Sequence, residues 1–565
     1  SLLGSFSLQF VGAETAEGCV PVLSQLSRDN LGALFAFSVE MIKSKDGSIT
    51  DLNTLTKQPR SASSPQYSSE NEGKSQPSKH IYDAIIDDLI ESVRVAAHFA
   101  SSRPAWADST SPEERLELES RPSRDGSTMV AIKLSGVLKD PSVLERASSA
   151  IVSREFFSSP PRPLPPSNVN GRFGPCAGLA IPIAALQDKE DVEALKELWQ
   201  GVRKLAKEAQ KAKNVRCIVD AEYSWFQPAI DAMYEALAEE FNRVPAQESG
   251  AGARDAWNKR IWGRRLHGGS AGEEQSVPGE IRGPLIFNTY QAYLRRTPSY
   301  LAASLERARA HGYTLGVKLV RGAYVDQENA EWEGKDVRTP PASVKAEREV
   351  QGASEAQEEK EWRSPVWRNK TLTDRCYDGC AVRLVDEIAL DMAKGKDKWP
   401  SLAVIFATHN WQSALKVTRR MLDVGLCGPP AAETLRRKQV ELAEGSSSAT
   451  FGEARSDPRT ELVLLQVTPG VRGRIFFGQL LGMADSLTRR LQLAFDPYSG
   501  GVGPHMGLKY VPYGPLQLVM PYLVRRSIEN KTVMQGGKDG EEGAAATERK
   551  LAGRELRRRL IPLLS

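Results

Sequence analysis

The sequence contains little cysteine and little histidine. Six of the 565 residues are cysteines, which are too few and too scattered along the chain for a disulfide framework. Cys376 and Cys380 lie four residues apart, but neither a second cysteine pair nor a histidine lies near them, and no His-Glu-x-x-His motif occurs among the six histidines. A zinc site is therefore not predicted, and the cysteine usage indicates a reducing compartment.

Long apolar runs and a strong charge bias are absent as well. No stretch of roughly 18 consecutive apolar residues indicates a membrane-spanning helix. The 75 basic and 71 acidic residues leave a formal net charge of +4, so the composition does not point to a nucleic-acid partner. Because the chain begins at Ser1 and not at methionine, we expect that any transit peptide has been removed.

Eight short apolar runs are present, and each is typical of a strand that is buried on both faces. Helical patterns such as 191–212, 299–312 and 411–425 lie between most of them. This alternation predicts an α/β fold, a distorted parallel (β/α)8 TIM-like barrel with the last helix over its mouth. A doubly wound open sheet is the alternative, but no run is followed by a Gly-rich dinucleotide turn. The eight runs are 33–40, 129–136, 215–222, 285–291, 315–322, 402–409, 474–483 and 508–514.

Polar, Gly-rich or Pro-rich segments interrupt the alternation, and we predict that they are long loop insertions. We expect three regions: residues 1–128 with the first strand and N-terminal helical and loop insertions, 129–533 as the barrel, and 534–565 as a flexible tail. The predicted insertions are 44–79, 153–173, 245–283, 328–370 and 428–459.

The C-terminal ends of barrel strands are where such folds place their active sites. Here the strand ends form a largely cationic set with Lys133, Lys318 and Arg321, and the last helix adds Arg525 and Arg526 in the stretch MPYLVRRSIEN. Two guanidiniums can hold a carboxylate through charge-assisted hydrogen bonds, which favours an anionic small molecule, an anionic cofactor or both. Other polar or apolar residues at these positions are Asp220, Gln291, Thr408, His409, Leu480, Tyr510, Tyr522 and Glu529.

Several chemistries are not indicated by these residues, and some alternatives stay open. We find no carboxylate pair for glycoside hydrolysis, no Gly-x-Ser-x-Gly or Cys–His arrangement for acyl transfer, and no carboxylate–histidine cluster for a catalytic metal. A Schiff-base lyase that uses Lys133 or Lys318 stays open. So does a barrel without enzymatic activity that binds an anionic partner, with Arg525 and Glu529 as a solvated salt-bridged face.

The motifs resemble those of the proline dehydrogenase family. YVPYGPLQLVMPYLVRRSIEN (510–530) is similar to the last strand and helix of that family, and KLVRGAYVDQE (318–328) also matches its pattern. The long loops resemble those of a eukaryotic, fungal-like member, and the lack of a following aldehyde dehydrogenase half predicts a monofunctional enzyme. Further matches, in the order of the family, are AIKLSG (131–136), CIVDAE (217–222), TYQAYLRR (289–296), IFATHN (405–410) and QLLGMAD (479–485).

This resemblance implies an FAD-dependent oxidoreductase that converts L-proline to Δ1-pyrroline-5-carboxylate, the first step of proline catabolism. Hydride would pass from proline C5 to flavin N5, and the electrons would then go to a quinone. The implied location is the matrix side of the mitochondrial inner membrane, with peripheral membrane association and functional coupling to pyrroline-5-carboxylate dehydrogenase. 4-Hydroxyproline is the alternative substrate, and no metal is implied.

The resemblance also assigns roles to individual residues. Arg525, Arg526 and Lys133 would fix the proline carboxylate, Asp220 would hold Lys133 through an ion pair, and Gly322 would let the backbone approach the cofactor. The implied substrate residues are Lys133, Asp220, Leu480, Tyr510, Tyr522, Arg525 and Arg526, and the implied FAD residues are Ala221, Gln291, Lys318, Arg321, Gly322, Ala323, Thr408, His409 and Glu529.

Overall fold

A computed structural model describes ten stretches of the chain, and most of each predicted insertion lies outside them. The predicted insertion 44–79 falls wholly outside, as does the tail from residue 536 onward. The described residues are 10–38, 81–101, 128–155, 188–245, 282–332, 364–395, 399–429, 465–468, 470–495 and 505–535.

The strands of the described chain form a closed barrel and one small separate sheet. The barrel strands are β1 (Gly32–Phe37), β2 (Thr128–Ile132), β3 (Val215–Val219), β4 (Ile286–Gln291), β5 (Leu315–Val320), β6 (Leu402–Ala407), β9 (Ile475–Leu480) and β10 (Gly507–Tyr513), and a separate antiparallel pair consists of β7 (Cys427–Gly428) and β8 (Gln466–Val467). The barrel closes in the order β1-β10-β9-β6-β5-β4-β3-β2, and neighbouring strands are parallel. The predicted barrel is confirmed, and each of the eight apolar runs overlaps one of its strands.

Helices connect the strands and cover the outside of the barrel. They are α1 (Val20–Arg28), α2 (Ile81–Ser101), α3 (Ser142–Glu155), α4 (Lys189–Ala212), α5 (Gln227–Phe241), α6 (Thr297–His311), α7 (Val325–Trp332), α8 (Lys370–Ala393), α9 (Trp411–Asp423), α10 (Asp485–Phe495) and α11 (Leu516–Gln535). Among the described helices, none combines the length and the apolar character that crossing a bilayer requires.

Side chains of the strands alternate between the barrel interior and the surrounding helices. Leu34, Ile218 and Phe287 belong to a buried cluster inside the barrel. Their sequence neighbours Phe35 and Val219 belong to the larger cluster between strands and helices. Burial on both faces is the reason why the strands have almost continuously apolar sequences.

Local signals at helix ends agree with the sequence prediction and hold part of the mouth in place. The helix predicted over 299–312 ends at His311, and its C-cap residue Gly312 has φ of 68° in the left-handed region. At the start of α9, the side chain of Asn410 accepts a hydrogen bond from Ser413 N. Asn410 N in turn donates to Thr408 Oγ1 at 3.0 Å, so this helix start also positions a predicted site residue.

The last helix, α11, covers the mouth of the barrel. Tyr522 and Leu523 pack in one apolar cluster with Leu480 of β9 and Tyr510 of β10. The Arg526 side chain is carried to the same place and is only 4% exposed. The predicted position of the last helix is therefore confirmed.

Candidate active site

A buried ion pair lies at the centre of the mouth. Lys318 Nζ of β5 is 2.5 Å from Oδ1 of Asp220, which directly follows β3. The hydroxyl of Tyr510 on β10 donates to the other Asp220 oxygen at 3.2 Å, and Lys318 Nζ lies 5.1 Å from the Tyr510 ring centroid. Lys318 is thus an ion-pair partner of Asp220 that the resemblance did not imply, and the implied pairing of Asp220 with Lys133 stays a prediction.

Lys133 also acts electrostatically on Glu222, a buried carboxylate that the sequence prediction did not include. Ser135 N donates to Glu222 at 3.0 Å, and Ser135 Oγ donates to the other carboxylate oxygen. Burial raises the pKa of Glu222, while the Ser135 hydrogen bonds and the charge of Lys133 lower it. Glu222 is the last residue of the quoted CIVDAE motif, so the signal for it was present in the sequence.

The two arginines of α11 both lie against aromatic rings at the mouth. Arg526 Cζ is 5.0 Å from the Tyr522 ring centroid. Arg525, which is half-buried, has its Cζ 5.0 Å from the ring centroid of Tyr324. Tyr324 follows β5 in the KLVRGAY motif and was not among the predicted site residues. Arg525 thus connects the last helix to the loop after β5.

Arg321, a predicted cofactor residue, makes several polar contacts within the protein. Its guanidinium donates to Asp374 at 2.6 Å, to Thr408 Oγ1 at 2.8 Å and to Ser413 Oγ at 2.8 Å. The Arg321 Cζ atom also lies 4.4 Å from the Tyr377 ring centroid. Arg321 therefore ties the loop after β5 to the loop after β6 and to α8.

His409 is held in its neutral form. Its Nε2 accepts a hydrogen bond from Leu480 N at 3.1 Å, which places the ring proton on Nδ1. Desolvation of the ring, with the charges of Lys509, Arg526 and Arg321, lowers the pKa of His409 to about 3. We therefore expect His409 to act as a hydrogen-bonding group at neutral pH and not as a proton carrier.

Gln291, at the end of β4, presents a buried acceptor at the mouth. Its Nε2 donates to the backbone oxygen of Glu222 and to the hydroxyl of Tyr293, both at 3.1 Å. Its Oε1 is buried and has no hydrogen-bond partner among the described residues. Such an atom needs a donor, and the ring N–H of a flavin is a donor of the required kind. The residues at the mouth therefore fit the predicted cofactor.

Gly322 lies too close to a tyrosine ring for any side chain to fit at this position. It has φ of 131°, and a Cβ built there would lie 1.7 Å from Cδ1 of Tyr293. The close approach in the structure is thus to a tyrosine ring of the protein. The prediction that Gly322 serves cofactor approach stays open, but the ring alone already excludes a side chain.

The remaining predicted residues contribute less to the described geometry. Ala221 is buried beside Asp220, and Ala323 is exposed at the mouth. Glu529 belongs to α11, but its side chain lies outside the described part of the structure. Within the described ranges, no group of three or more His, Cys, Asp or Glu side chains is placed to hold a metal ion.

Comparison with known proteins identifies relatives for most of the chain. The family model described as Proline dehydrogenase matches residues 66–351, 348–428 and 461–537. Hydroxyproline dehydrogenase of Mus musculus is 27% identical over 353 residues, which are 62% of this chain and 49% of that protein. Proline dehydrogenase 1, mitochondrial, of Homo sapiens is 27% identical over 383 residues, 68% of this chain and 42% of that protein. The chain thus spans about half the length of the curated relatives it matches.

A solved structure also aligns with this chain. It is the crystal structure of proline utilization A (PutA) from Bdellovibrio bacteriovorus, with a TM-score of 0.49 and 16% sequence identity. The alignment covers 96% of this chain and 35% of the PutA chain.

Proposed function

Because this chain belongs to the proline dehydrogenase family, we propose that it is an FAD-dependent enzyme that oxidises L-proline to Δ1-pyrroline-5-carboxylate. The observation that carries the proposal is the position of Arg525 and Arg526. Both lie on the helix that covers the barrel mouth, and Arg526 is only 4% exposed. Arginines there are suited to bind a small anionic substrate, since a solvated salt-bridged face would leave both exposed.

The substrate carboxylate would bind to Arg525 and Arg526, with Lys133 as a third cation. Charge-assisted hydrogen bonds to guanidinium groups neutralise a carboxylate and fix its orientation. Tyr510 and Leu480, which share an apolar cluster with α11, would then border the pyrrolidine ring. Binding one end of the substrate in this way orients the carbon–hydrogen bond at the other end.

The flavin residues are proposed on the same basis. A bound FAD supplies the two-electron acceptor that oxidation of a carbon–nitrogen bond requires. Gln291 would accept a hydrogen bond from it, and Lys318, Thr408 and Glu529 would line its site. His409, with its pKa lowered to about 3, stays neutral and does not take the proton of the substrate amine. We therefore expect the rate to rise with pH until proline itself has lost that proton.

The acceptor and the location are part of the proposal. One relative carries the printed name Proline dehydrogenase 1, mitochondrial, which supports a mitochondrial location. We propose a quinone as the electron acceptor, peripheral association with the matrix side of the inner membrane, and functional coupling to pyrroline-5-carboxylate dehydrogenase. In an assay of the purified protein, a water-soluble quinone should accept the electrons that are removed from proline.

4-Hydroxyproline is the second candidate substrate. Relatives named hydroxyproline dehydrogenase and proline dehydrogenase match this chain at the same 27% identity. The Tyr510 hydroxyl is tied to Asp220 at 3.2 Å, which fixes the ring beside the proposed substrate position. A fixed ring leaves less room for a hydroxyl on the substrate, so we expect proline to be preferred.

The test is a spectrum of the purified protein followed by anaerobic addition of substrates. We expect flavin absorbance bands that L-proline bleaches, that 4-hydroxy-L-proline bleaches more slowly, and that pyrrolidine, which lacks the carboxylate, leaves almost unchanged. Equal bleaching by pyrrolidine would contradict the role of the two arginines. A protein that binds no flavin, and that borohydride links covalently to a carbonyl substrate, would support the Schiff-base alternative instead.

A further inference from the structure

Glu328 is a fully buried carboxylate that the proposed reaction does not use. It lies in the first turn of α7 and has no exposed surface. Ser224 N donates to Glu328 Oε1 at 2.7 Å, and Ser224 Oγ donates to Oε2 at 2.6 Å. The Tyr293 hydroxyl also lies 3.3 Å from Oε1. Glu328 thus connects the loop after β3 to the segment after β4.

The direction of these hydrogen bonds follows from the number of protons that each group can donate. A carboxylate only accepts, whereas a tyrosine hydroxyl has one proton to donate. Tyr293 therefore donates to Glu328, and its oxygen is left to accept the hydrogen bond from Gln291 Nε2 at 3.1 Å. The second N–H of the Gln291 amide is bound to the Glu222 backbone oxygen.

This arrangement holds the Gln291 amide in one orientation. A rotation by half a turn would place Oε1 against the oxygens of Tyr293 and Glu222, and both are already acceptors in this network. The amide nitrogen is thereby held on the protein side. The oxygen is held on the side where it has no partner among the described residues.

We propose that Glu328 is a positioning residue, which acts through Tyr293 to present Gln291 Oε1 as an acceptor for the ring N–H of a bound flavin. The inference rests on the proposed function, because it requires that the protein binds a flavin. The contacts on which it stands, from Ser224 to Glu328, Tyr293 and Gln291, are all between buried or half-buried groups of the protein itself.

The test compares the affinity of the flavin-free protein for FAD and for FAD methylated at its ring N–H. The methylated form lacks the donor. The ratio of its dissociation constant to that of FAD therefore measures the hydrogen bond plus a steric contribution of the methyl group. Gln291→Ala gives the ratio without the acceptor, and we expect it to be about tenfold smaller than the wild-type ratio. Titration by fluorescence quenching gives each constant without any assay of activity.

Tyr293→Phe and Glu328→Gln should both move the ratio toward that of Gln291→Ala. The matched control is Tyr290→Phe, a buried tyrosine one position before Gln291 whose ring packs on Tyr300, 5.5 Å away. It should keep the wild-type ratio. A purely structural role for Glu328 and Tyr293 predicts that both flavins bind more weakly by the same factor.

An unchanged ratio in Tyr293→Phe would overturn the inference, even if Glu328→Gln failed to fold. A wild-type protein that binds neither flavin would overturn the proposed function itself. A wild-type protein that binds FAD, with variants that keep the wild-type ratio, would overturn only the role of Glu328.

Discussion

Buried charge at the mouth of the barrel differs from buried charge on the flank between α5 and α6. On the flank, Arg307 lies between two carboxylates, 3.2 Å from Glu235 and 2.7 Å from Glu239. His311 Nδ1 lies 3.2 Å from the same Glu239. At the mouth, the similarly buried Arg526 has its guanidinium 5.0 Å from an aromatic ring. The flank arginine is thus enclosed by two carboxylates, whereas the mouth arginine lies against an aromatic ring on the helix that covers the barrel mouth.

The difference separates two uses of buried charge. On the flank, the two carboxylates raise the pKa of Arg307 even though its burial alone would lower it, so the group stays charged. Removing one member of such a set leaves an uncompensated buried charge. At the mouth, an arginine against a ring can still form hydrogen bonds with an incoming carboxylate. We therefore expect substitutions on the flank to change stability, and substitutions at the mouth to change binding.

The largest expected effect is that of Arg307→Met on the flank. The change leaves Glu235 and Glu239 buried without their shared cation, and such losses cost about 3–5 kcal/mol of unfolding free energy. Urea unfolding measures the loss, and the KM for proline of the remaining folded protein should not change. Arg309→Met is the control, because Arg309 is half exposed and its pair with Glu387 should contribute less than about 1 kcal/mol. Similar losses in the two variants would contradict the assignment of the flank.

The next effect is that of Arg526→Met at the mouth. Without this cation the proline carboxylate would lose its charge-assisted hydrogen bonds in a largely desolvated place, and we expect KM to rise about 100-fold. The unfolding free energy of the ligand-free protein should change by about 1 kcal/mol or less. Steady-state kinetics and urea unfolding of the same preparation check both parts. A KM within threefold of the wild-type value would rule out Arg526 as a substrate ligand.

The two sites should also differ in how their histidines respond to pH. The pKa of His409 at the mouth is lowered to about 3 from its usual 6.5 by desolvation and three cations. For His311 on the flank, desolvation also lowers the pKa, but Glu239 opposes this shift. A histidine whose folded pKa is lowered binds its proton more readily in the unfolded state. The contribution of such a histidine to the unfolding free energy is therefore fully present above pH 6.5. It falls as the pH drops below that value, by at most about 1.4 kcal/mol per pH unit.

Urea unfolding of the ligand-free protein at pH 7, 6 and 5 tests this difference. Between pH 6 and pH 5, His409→Asn should remove most of the loss of unfolding free energy that one such histidine causes. His311→Asn should remove less, because its carboxylate partner favours the protonated form. The idea fails if the two variants and the wild type lose stability at the same rate. These measurements use the flavin-free protein, so that cofactor release does not contribute.

The barrel was predictable because its strands are buried on both faces. Each of the eight apolar runs overlaps a strand, and the start and stop signals around 299–312 mark a real helix. The antiparallel pair β7–β8 was not predicted, since strands of two residues have no periodicity to detect. The helix α8 begins at Lys370, the last residue of a predicted insertion. It was not predicted because its polar and apolar residues are mixed almost uniformly and form no distinct apolar face.

The residues at the mouth were predictable as positions, but their contacts were not. The rule that barrel sites lie at strand ends selects Asp220 and Lys318 directly. Their ion pair joins residues 98 positions apart in the sequence. The need for glycine at position 322 comes from a ring 29 residues earlier, that of Tyr293. Such contacts belong to the packed structure, so no local pattern reveals them.

The smallest expected effects come from removing one hydroxyl at each place. Tyr510→Phe at the mouth and Tyr300→Phe on the flank are matched, since each hydroxyl lies near a buried carboxylate, at 3.2 Å from Asp220 and at 3.5 Å from Glu235. Tyr510→Phe should cost about 0.5–1.5 kcal/mol of unfolding free energy, and Tyr300→Phe less because its hydrogen bond is longer.

Only the mouth variant should also affect substrate binding. Tyr510→Phe keeps the ring and its contact with Lys318, but it frees the Asp220 oxygen that the hydroxyl had occupied. The freed acceptor changes the charge distribution beside the proposed proline position, and we expect KM to rise a few-fold. Tyr300→Phe should leave KM unchanged, because Glu235 is paired with Arg307 between two helices. Equal changes of KM in the two variants would mean that mouth and flank are coupled, and the distinction between charges for binding and charges for stability would no longer hold.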